Sequence, residues 1–196
     1  ILQDDTINGF NVTIPYKEEI LKFLDEIDEA AKTIGAVNTI KKINNKYIGF
    51  NTDFIGFEKS LIGLIENKKP ENALILGSGG ASKAVKYVLN KLNINYSTVS
   101  RKSGKSEFIY ENLNNEIINS FKLIINCSPV GTYPNINDSP NIPYECLTEE
   151  HILYDLIYNP AETLFLKKGR TSGCKIKNGL EMLEVQANEA WRIWNS

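Results

Sequence analysis

The 196-residue sequence predicts an α/β fold of two units, one of them a parallel sheet with right-handed crossovers and a glycine-rich turn. Three observations predict it. Beyond Pro70, short β-branched runs alternate with stretches of helical periodicity, the pattern of parallel strands joined by right-handed crossovers. One junction, Ala73-Leu74-Ile75-Leu76-Gly77-Ser78-Gly79-Gly80-Ala81-Ser82, runs from an apolar strand through three glycines into a helix-permissive segment. The stretch up to Asp53 differs: it is strand-rich, broken by polar turns, and followed by a helix that Pro70 ends.

Taken in order, residues 10–14 alternate apolar and polar and read as a short strand that Pro15 stops. From Glu18 onward Ile20, Leu21, Phe23, Leu24, Ile27, Ala30, Ala31 and Ile34 form a helical stripe, with Gly35 at its C-terminal cap. Residues 36–40 read as a second strand, and Asn44-Asn45 as a turn into a third at 46–50. Asn51-Thr52-Asp53 is a polar break. There Asp53 or Thr52 would cap a helix whose apolar face runs Phe54, Phe57, Leu61, Leu64 and Ile65. Further strands are expected at 73–76, 96–100, 123–126, 152–158 and 175–177, with helices at 80–92, 161–170 and 180–194. The last helix should bury Leu183, Ala187, Ala190, Trp191 and Trp194. The asparagine-rich segments around 112–119 and 135–141 read as loops or weak helix edges.

Composition narrows the function classes. Hydrophobic content of 42% and charged content of 23% are enough for a packed core. A net charge of −2 argues against a protein held on nucleic acid by bulk electrostatics. No apolar run approaches the roughly 18 residues that span a membrane, and the opening residues show no charged-then-apolar leader. Cys127, Cys146 and Cys174 are odd in number and scattered, with no Cys-x-x-Cys, so neither a disulfide framework nor a metal site is expected. A reducing, cytoplasmic setting fits. His151 is the only histidine, which weakens any Ser-His-Asp scheme.

The glycine turn suits a phosphate, because exposed N–H groups and the positive end of the helix dipole favour an anion there. Such a turn is also common as plain structure. The next strand supplies a discriminator. Sites that read the ribose hydroxyls of NAD place a carboxylate about 20 residues past the motif, whereas this strand ends Ser100-Arg101-Lys102. A guanidinium at that point pairs with a 2′-phosphate, so NADP ranks above NAD, against the alternative of a merely solvated loop. Ser82 stands where glycine or alanine is usual, and is small enough for close packing. Lys17 lies at a strand end, where ligands bind in open α/β sheets but where lysines are commonly just solvated. Asp53 follows another strand, and spacing does not show whether the two meet. If they do, the carboxylate would orient the ammonium, which could then give and take a proton on a carbonyl or hydroxyl oxygen.

Five ordered motifs combine these features: Asn11-Val12-Thr13-Ile14-Pro15-Tyr16-Lys17, Gly35-Ala36-Val37-Asn38-Thr39, Gly49-Phe50-Asn51-Thr52-Asp53, Gly77-Ser78-Gly79-Gly80-Ala81-Ser82, and Gly179-Leu180-Glu181-Met182-Leu183-Glu184-Val185-Gln186-Ala187. Together they resemble the shikimate dehydrogenase family along essentially the whole chain. The resemblance implies a Rossmann-type NADP-binding domain, residues 54–178, and an open α/β substrate-binding domain, residues 1–53 with 179–196. It implies Lys17 as acid/base residue with Asp53 as its partner. Substrate contacts would come from Thr13, Lys17, Asn38, Asp53, Tyr158 and Gln186. NADP contacts would come from Gly77, Ser78, Gly79, Gly80, Ala81, Ser100, Arg101, Lys102, Leu156 and Gly179. The implied reaction is reversible reduction of 3-dehydroshikimate to shikimate, a step of chorismate and aromatic amino-acid biosynthesis. The implied partner is this small substrate, with no nucleic acid or membrane, and a homodimer is one assembly open to it. The family opens on a Ser-x-Ser-Pro motif that holds the substrate carboxylate. Nothing upstream of Asn11 contains it, so the natural protein is expected to carry a further N-terminal segment. Alternatives are a quinate/shikimate dehydrogenase of broader specificity, a non-catalytic NADP-binding module, and another two-domain dehydrogenase such as methylenetetrahydrofolate dehydrogenase.

Overall fold

A computed structural model describes residues 6–13, 15–65, 68–102, 104 and 106–196. The first part of the chain forms a four-stranded sheet from β1 (Gly9–Asn11), β2 (Glu26–Ile27), β3 (Thr39–Ile43) and β4 (Lys46–Phe50). The spatial order is β1-β3-β4-β2, with β3 antiparallel to both neighbours and β2 parallel to β4. Asn44 and Asn45 both take positive φ, 51° and 62°, the left-handed pair that a tight hairpin requires. The strand expected at 10–14 is shorter; its last residue, Ile14, lies outside the described residues. The strand expected at 36–40 begins later, at Thr39.

The long helix expected from Glu18 to Ile34 is not formed. A 3-10 turn at Glu19–Phe23, strand β2 and helix α1 (Glu29–Ile34) take its place. Two aspartates break the helix. Asp25 exchanges backbone and side-chain bonds with Tyr47, its amide donating to the Tyr47 carbonyl at 3.0 Å and its carboxylate accepting the Tyr47 amide at 2.7 Å. Asp28 then accepts the Ala30 and Ala31 amides as the N-cap of α1, an alternative to continuing the preceding turn. Most of the apolar stripe still points inward, Ile20, Leu21, Leu24 and Ile27 packing on Ala31, Val37, Ile40 and Tyr47, but Phe23 is 63% exposed, turned outward by the 3-10 turn. Gly35, at φ 70°, closes α1 as expected.

Helix α2 (Asp53–Ile65) leads to a six-stranded sheet: β5 (Asn72–Leu76), β6 (Asn95–Ser100), β7 (Phe108–Ile109), β8 (Leu123–Asn126), β9 (Ile152–Asp155) and β10 (Lys175–Lys177). Every pairing is parallel, in the order β10-β9-β8-β5-β6-β7. This is the doubly wound order, with its switch point between β5 and β8, where ligands bind beyond the carboxyl ends of the strands. Both faces are covered. Phe57, Leu61 and Leu64 of α2 and Val85, Val88 and Leu89 of α3 (Gly80–Lys91) cover Ala73, Ile75 and Ile125. Ile118 of α4 (Asn115–Ser120) and Phe165 and Leu166 of α5 (Leu164–Thr171) cover Leu74, Leu76, Ile124 and Leu153.

Three local expectations are corrected. Strand β7 is additional, and α4 gives form to a segment expected as loops or weak helix edges; it starts because the Asn114 side chain accepts the Ile117 amide. Helix α5 starts at Leu164 because Thr163 caps it, and β9 ends at Asp155. In the last helix, α6 (Leu180–Trp194), Met182 and Ala190 are buried while Ala187 is exposed and Trp191 is 66% exposed. The face is set by α2, with the C-terminal end of the helix also tied to the small sheet, where Trp194 Nε1 donates to the Ile40 carbonyl at 3.0 Å. Gly56 of α2 lies so close that a Cβ there would stand 3.2 Å from the Gln186 Cβ and overlap the Met182 carbonyl. That contact turns Gln186 inward. Among the described residues no helix is long and apolar enough to cross a membrane.

Candidate active site

Four side chains from distant parts of the chain meet beside the small sheet. Lys17 sits in the turn after β1, pinned by its own carbonyl, which accepts the Val37 amide at 2.8 Å. Asn38 lies just before β3, held by backbone bonds from Val12 and to Phe50. Asp53 is the first residue of α2, directly after β4. Gln186 comes from α6, which returns from the large sheet to dock on α2. Lys17 Nζ donates to Asp53 Oδ2 at 2.7 Å, and Asn38 Nδ2 donates to Asp53 Oδ1 at 2.9 Å. Gln186 Oε1 accepts from Thr52 Oγ1 at 3.3 Å and lies 3.4 Å from Asn38 Nδ2. Both carboxylate oxygens of Asp53 are thus engaged, and the Lys17 and Asp53 side chains are only 18% and 13% exposed.

The helix-cap role considered for Asp53 does not arise, because Asn51 performs it: its Oδ1 accepts the Phe54 amide at 3.3 Å. Asp53 is left free to fix Lys17. The other candidate cap, Thr52, is fully buried; it donates to Gln186 and exchanges bonds with Asn38 through side chain and backbone. Its place at the centre of the cluster is a role the sequence did not single out; a polar residue between a strand and an aspartate at a helix start is the only local signal. The ion pair occupies one of the three N–H donors of the ammonium, so the rest can address an oxygen of a bound molecule. Thr13 and Tyr158 do not join this network. Thr13 is exposed four residues before Lys17, and Tyr158, on the β9–α5 loop, is 50% exposed.

The glycine turn stands at the switch point. Gly77, at φ 104°, donates its amide to the Val99 carbonyl, and a Cβ there would press on the Ser128 backbone at 3.2 Å. Only glycine suits that position. Gly79 has open space where a Cβ would be, and α3 begins behind it with no side-chain cap and no acidic residue in its first turn. An anionic group fits such a cradle. Ser82 is buried, its hydroxyl donating to the Gly79 carbonyl at 2.6 Å, which explains why a serine is tolerated in the motif. The Lys17 turn faces this cradle: Glu18 pairs with Lys83 of α3 at 2.7 Å. Ser100 ends β6 buried, and Arg101 and Lys102 follow it exposed. On the other side of the switch point, Leu156 donates its amide to the Asn126 carbonyl and Gly179 to the Ile157 carbonyl. The structure therefore brings Gly77 to Ala81 close to Lys17, and keeps Ser100 to Lys102 and the Leu156–Gly179 pair at separate ends of the same sheet edge.

A further carboxylate organises that edge. Asp155 ends β9 fully buried and accepts the Thr163 hydroxyl at 2.6 Å, the Asn126 amide group at 3.0 Å and the Ile157 amide at 3.1 Å. A charge inside the apolar run 152–158 is the sequence signal for it. Burial pushes its carboxyl up to about 6, against the three donors that pull the other way. The folded state thus holds the proton more tightly than the unfolded chain, so this group's contribution to stability is greatest below its unfolded pKa and is lost as pH rises toward 6. The expected size is on the order of 3 kcal/mol. Asp155→Asn should flatten the stability-versus-pH curve between about pH 4 and 6, measured by urea unfolding across that range; an unchanged slope would exclude Asp155 as its source. His151, in contrast, is a buried strut, its ring accepting the Thr148 amide at 3.0 Å and lying 3.3 Å from the Ile118 carbonyl.

Residues 1–40 match the family model described as the shikimate dehydrogenase substrate binding domain. The shikimate dehydrogenase (NADP(+)) of Methanococcus aeolicus is 44% identical over 95% of this chain and 72% of that protein. That of Methanocaldococcus jannaschii is 43% identical over 96% of this chain and 72% of that protein. The crystal structure of shikimate 5-dehydrogenase from Thermus thermophilus, in complex with NADP(H) and shikimate, is similar with a TM-score of 0.85 at 32% identity. That likeness covers 97% of this chain and 74% of the other.

Proposed function

The chain belongs to the shikimate dehydrogenase family, and from that premise we propose that it interconverts 3-dehydroshikimate and shikimate with NADP. The observation that carries the reading is the 2.7 Å ion pair between Lys17 and Asp53, two residues 36 positions apart, joined by Asn38 from a third stretch and Gln186 from a fourth. A lysine aimed by a carboxylate and left with free donors suits proton transfer to a bound oxygen, and the Lys17 variant below separates that from binding alone.

The division of labour follows. Residues 1–53 with 179–196 carry the substrate side, and 54–178 the cofactor side. Bound NADPH supplies the hydride to the ring ketone, and NADP accepts it back in the other direction. Lys17 delivers the proton to the ketone oxygen during reduction and withdraws it from the hydroxyl during oxidation. Asp53 keeps the ammonium aimed. Asn38 and Gln186, with Thr13 and Tyr158 at the rim, present donors and acceptors to the ring hydroxyls. The cradle Gly77 to Ala81 takes the pyrophosphate, Arg101 and Lys102 with Ser100 the 2′-phosphate end, and Leu156 with Gly179 the nicotinamide end.

Steady-state NADP reduction tests this reading, with shikimate and quinate as substrates and NAD as the competing cofactor. Shikimate with NADP should give the highest kcat/KM. Equal turnover of quinate would favour the broader-specificity relative, and no turnover with any pair would leave only the binding-module reading.

A further inference from the structure

The outer edge of the large sheet carries a second organised polar group, at the root of the Arg101–Lys102 turn. Strand β7 is two residues long and pairs with β6 only at Val99 and Ser100. Thr98, one step earlier on β6, has no β7 residue opposite it. Glu107 takes that place. Its Oε2 accepts the Thr98 amide at 2.7 Å and the Thr98 hydroxyl at 2.6 Å. Bonds to an ionised carboxylate are the strong ones, and the Thr98 hydroxyl is foremost in holding the Glu107 carboxyl below its usual range. Beside it the Ser106 hydroxyl lies 2.7 Å from both Ser100 Oγ and the Phe108 carbonyl, while Ser100 Oγ donates to the Lys102 carbonyl at 2.7 Å. Both ends of the excursion from β6 to β7 are thereby tied to the sheet.

We infer that Glu107 is a positioning residue for cofactor discrimination: by clamping the base of this turn onto Thr98 it holds Arg101 and Lys102 ready for a 2′-phosphorylated dinucleotide. The inference rests on the NADP reading above. Its physical basis is entropic. Arg101 and Lys102 are long and exposed, and each surrenders rotamer freedom when it grips a phosphate. A fixed backbone at Ser100 and Lys102, tied through Ser106, removes the additional cost of ordering the two side chains' own anchor. The Glu107 carboxylate keeps its negative charge while bound to Thr98, with Lys86 close enough to favour that charge, so any repulsion of the phosphate works against the clamp and the variants below weigh the two.

The test compares two probes that differ by the 2′-phosphate alone, 2′,5′-ADP and 5′-AMP, titrated calorimetrically into the wild-type chain and its variants. Glu107→Ala should weaken 2′,5′-ADP about tenfold, equivalent to about 1.4 kcal/mol, and leave 5′-AMP unchanged. Glu107→Gln should recover most of the loss, since its carbonyl can still accept from Thr98. Thr98→Val should move in the same direction as Glu107→Ala. Equal weakening of both probes would reduce Glu107 to a general structural part, and tighter 2′,5′-ADP binding would make it a repelling charge; either overturns the inference. A wild-type preference that survives Glu107→Ala overturns this inference alone. A wild-type chain that binds both probes alike overturns the NADP reading together with it.

Discussion

Lys17→Met is expected to lower shikimate-dependent NADP reduction by about three orders of magnitude, within the range for removal of a general acid–base group. The loss should fall on kcat, because the substrate hydroxyls would still find Asn38 and Gln186. Methionine keeps most of the side-chain volume and removes only the ammonium, so the packing of the turn should survive. It also leaves the Asp53 carboxylate without its cation in a site where it is 13% exposed. Some destabilisation should accompany the loss. Asp53→Asn is the informative companion: Lys17 would remain but would lose its charged partner, and the fall in kcat should be smaller. Steady-state kinetics with a parallel thermal melt separates these effects. Retention of more than a tenth of wild-type kcat in Lys17→Met would remove the lysine from the proton transfer.

Gly179→Ala is expected to damage the protein most through its backbone. A Cβ there would lie 2.6 Å from the Leu156 carbonyl carbon and 3.2 Å from its Cα, and would overlap the Leu156 carbonyl oxygen. None of these atoms is the end of a flexible side chain, so β9 and α6 must move apart. Overpacking of this kind costs about 3 kcal/mol or more, which for a chain of this size lowers Tm by roughly 6–12 °C. The displacement falls on Leu156 and Gly179, so NADP affinity should drop as well. Gly63→Ala is the control. It lies in α2 with nothing within 4 Å of its would-be Cβ, and alanine there should raise stability by about 0.5–1 kcal/mol. Calorimetric melts of the two variants should shift in opposite directions; a neutral Gly179→Ala would mean that the close approach to Leu156 is not a constraint.

The regular part of the fold was legible because it depends on local pattern. A strand buried on both faces reads as an apolar run, and β8 stands where that run puts it; the edge strand β10 also lies where it is expected. The segment 18–34 was not legible, because the same apolar stripe serves a helix or a 3-10 turn followed by an edge strand. The choice fell to Asp25, whose partner Tyr47 lies on another strand. The outward face of Trp191 was likewise unreadable, since it depends on where α6 meets Gly56. Among the site residues, glycine turns and strand ends carry a local signature, whereas Thr52 and Asp155 matter through partners up to 134 residues away.

What the sequence by itself determined is the alternation of strands and helices, the glycine turn at a strand end, and the chemical types available for the site: one lysine, one aspartate and a basic pair after β6. Tertiary structure decided which of these act together. Side-chain chemistry and backbone preference are properties of neighbours along the chain, but a 2.7 Å ion pair between residues 17 and 53 exists only once β1, β4 and α2 have been packed against one another. The same packing set the fate of Asp53, which local sequence assigns to a helix cap and which Asn51 releases to hold Lys17.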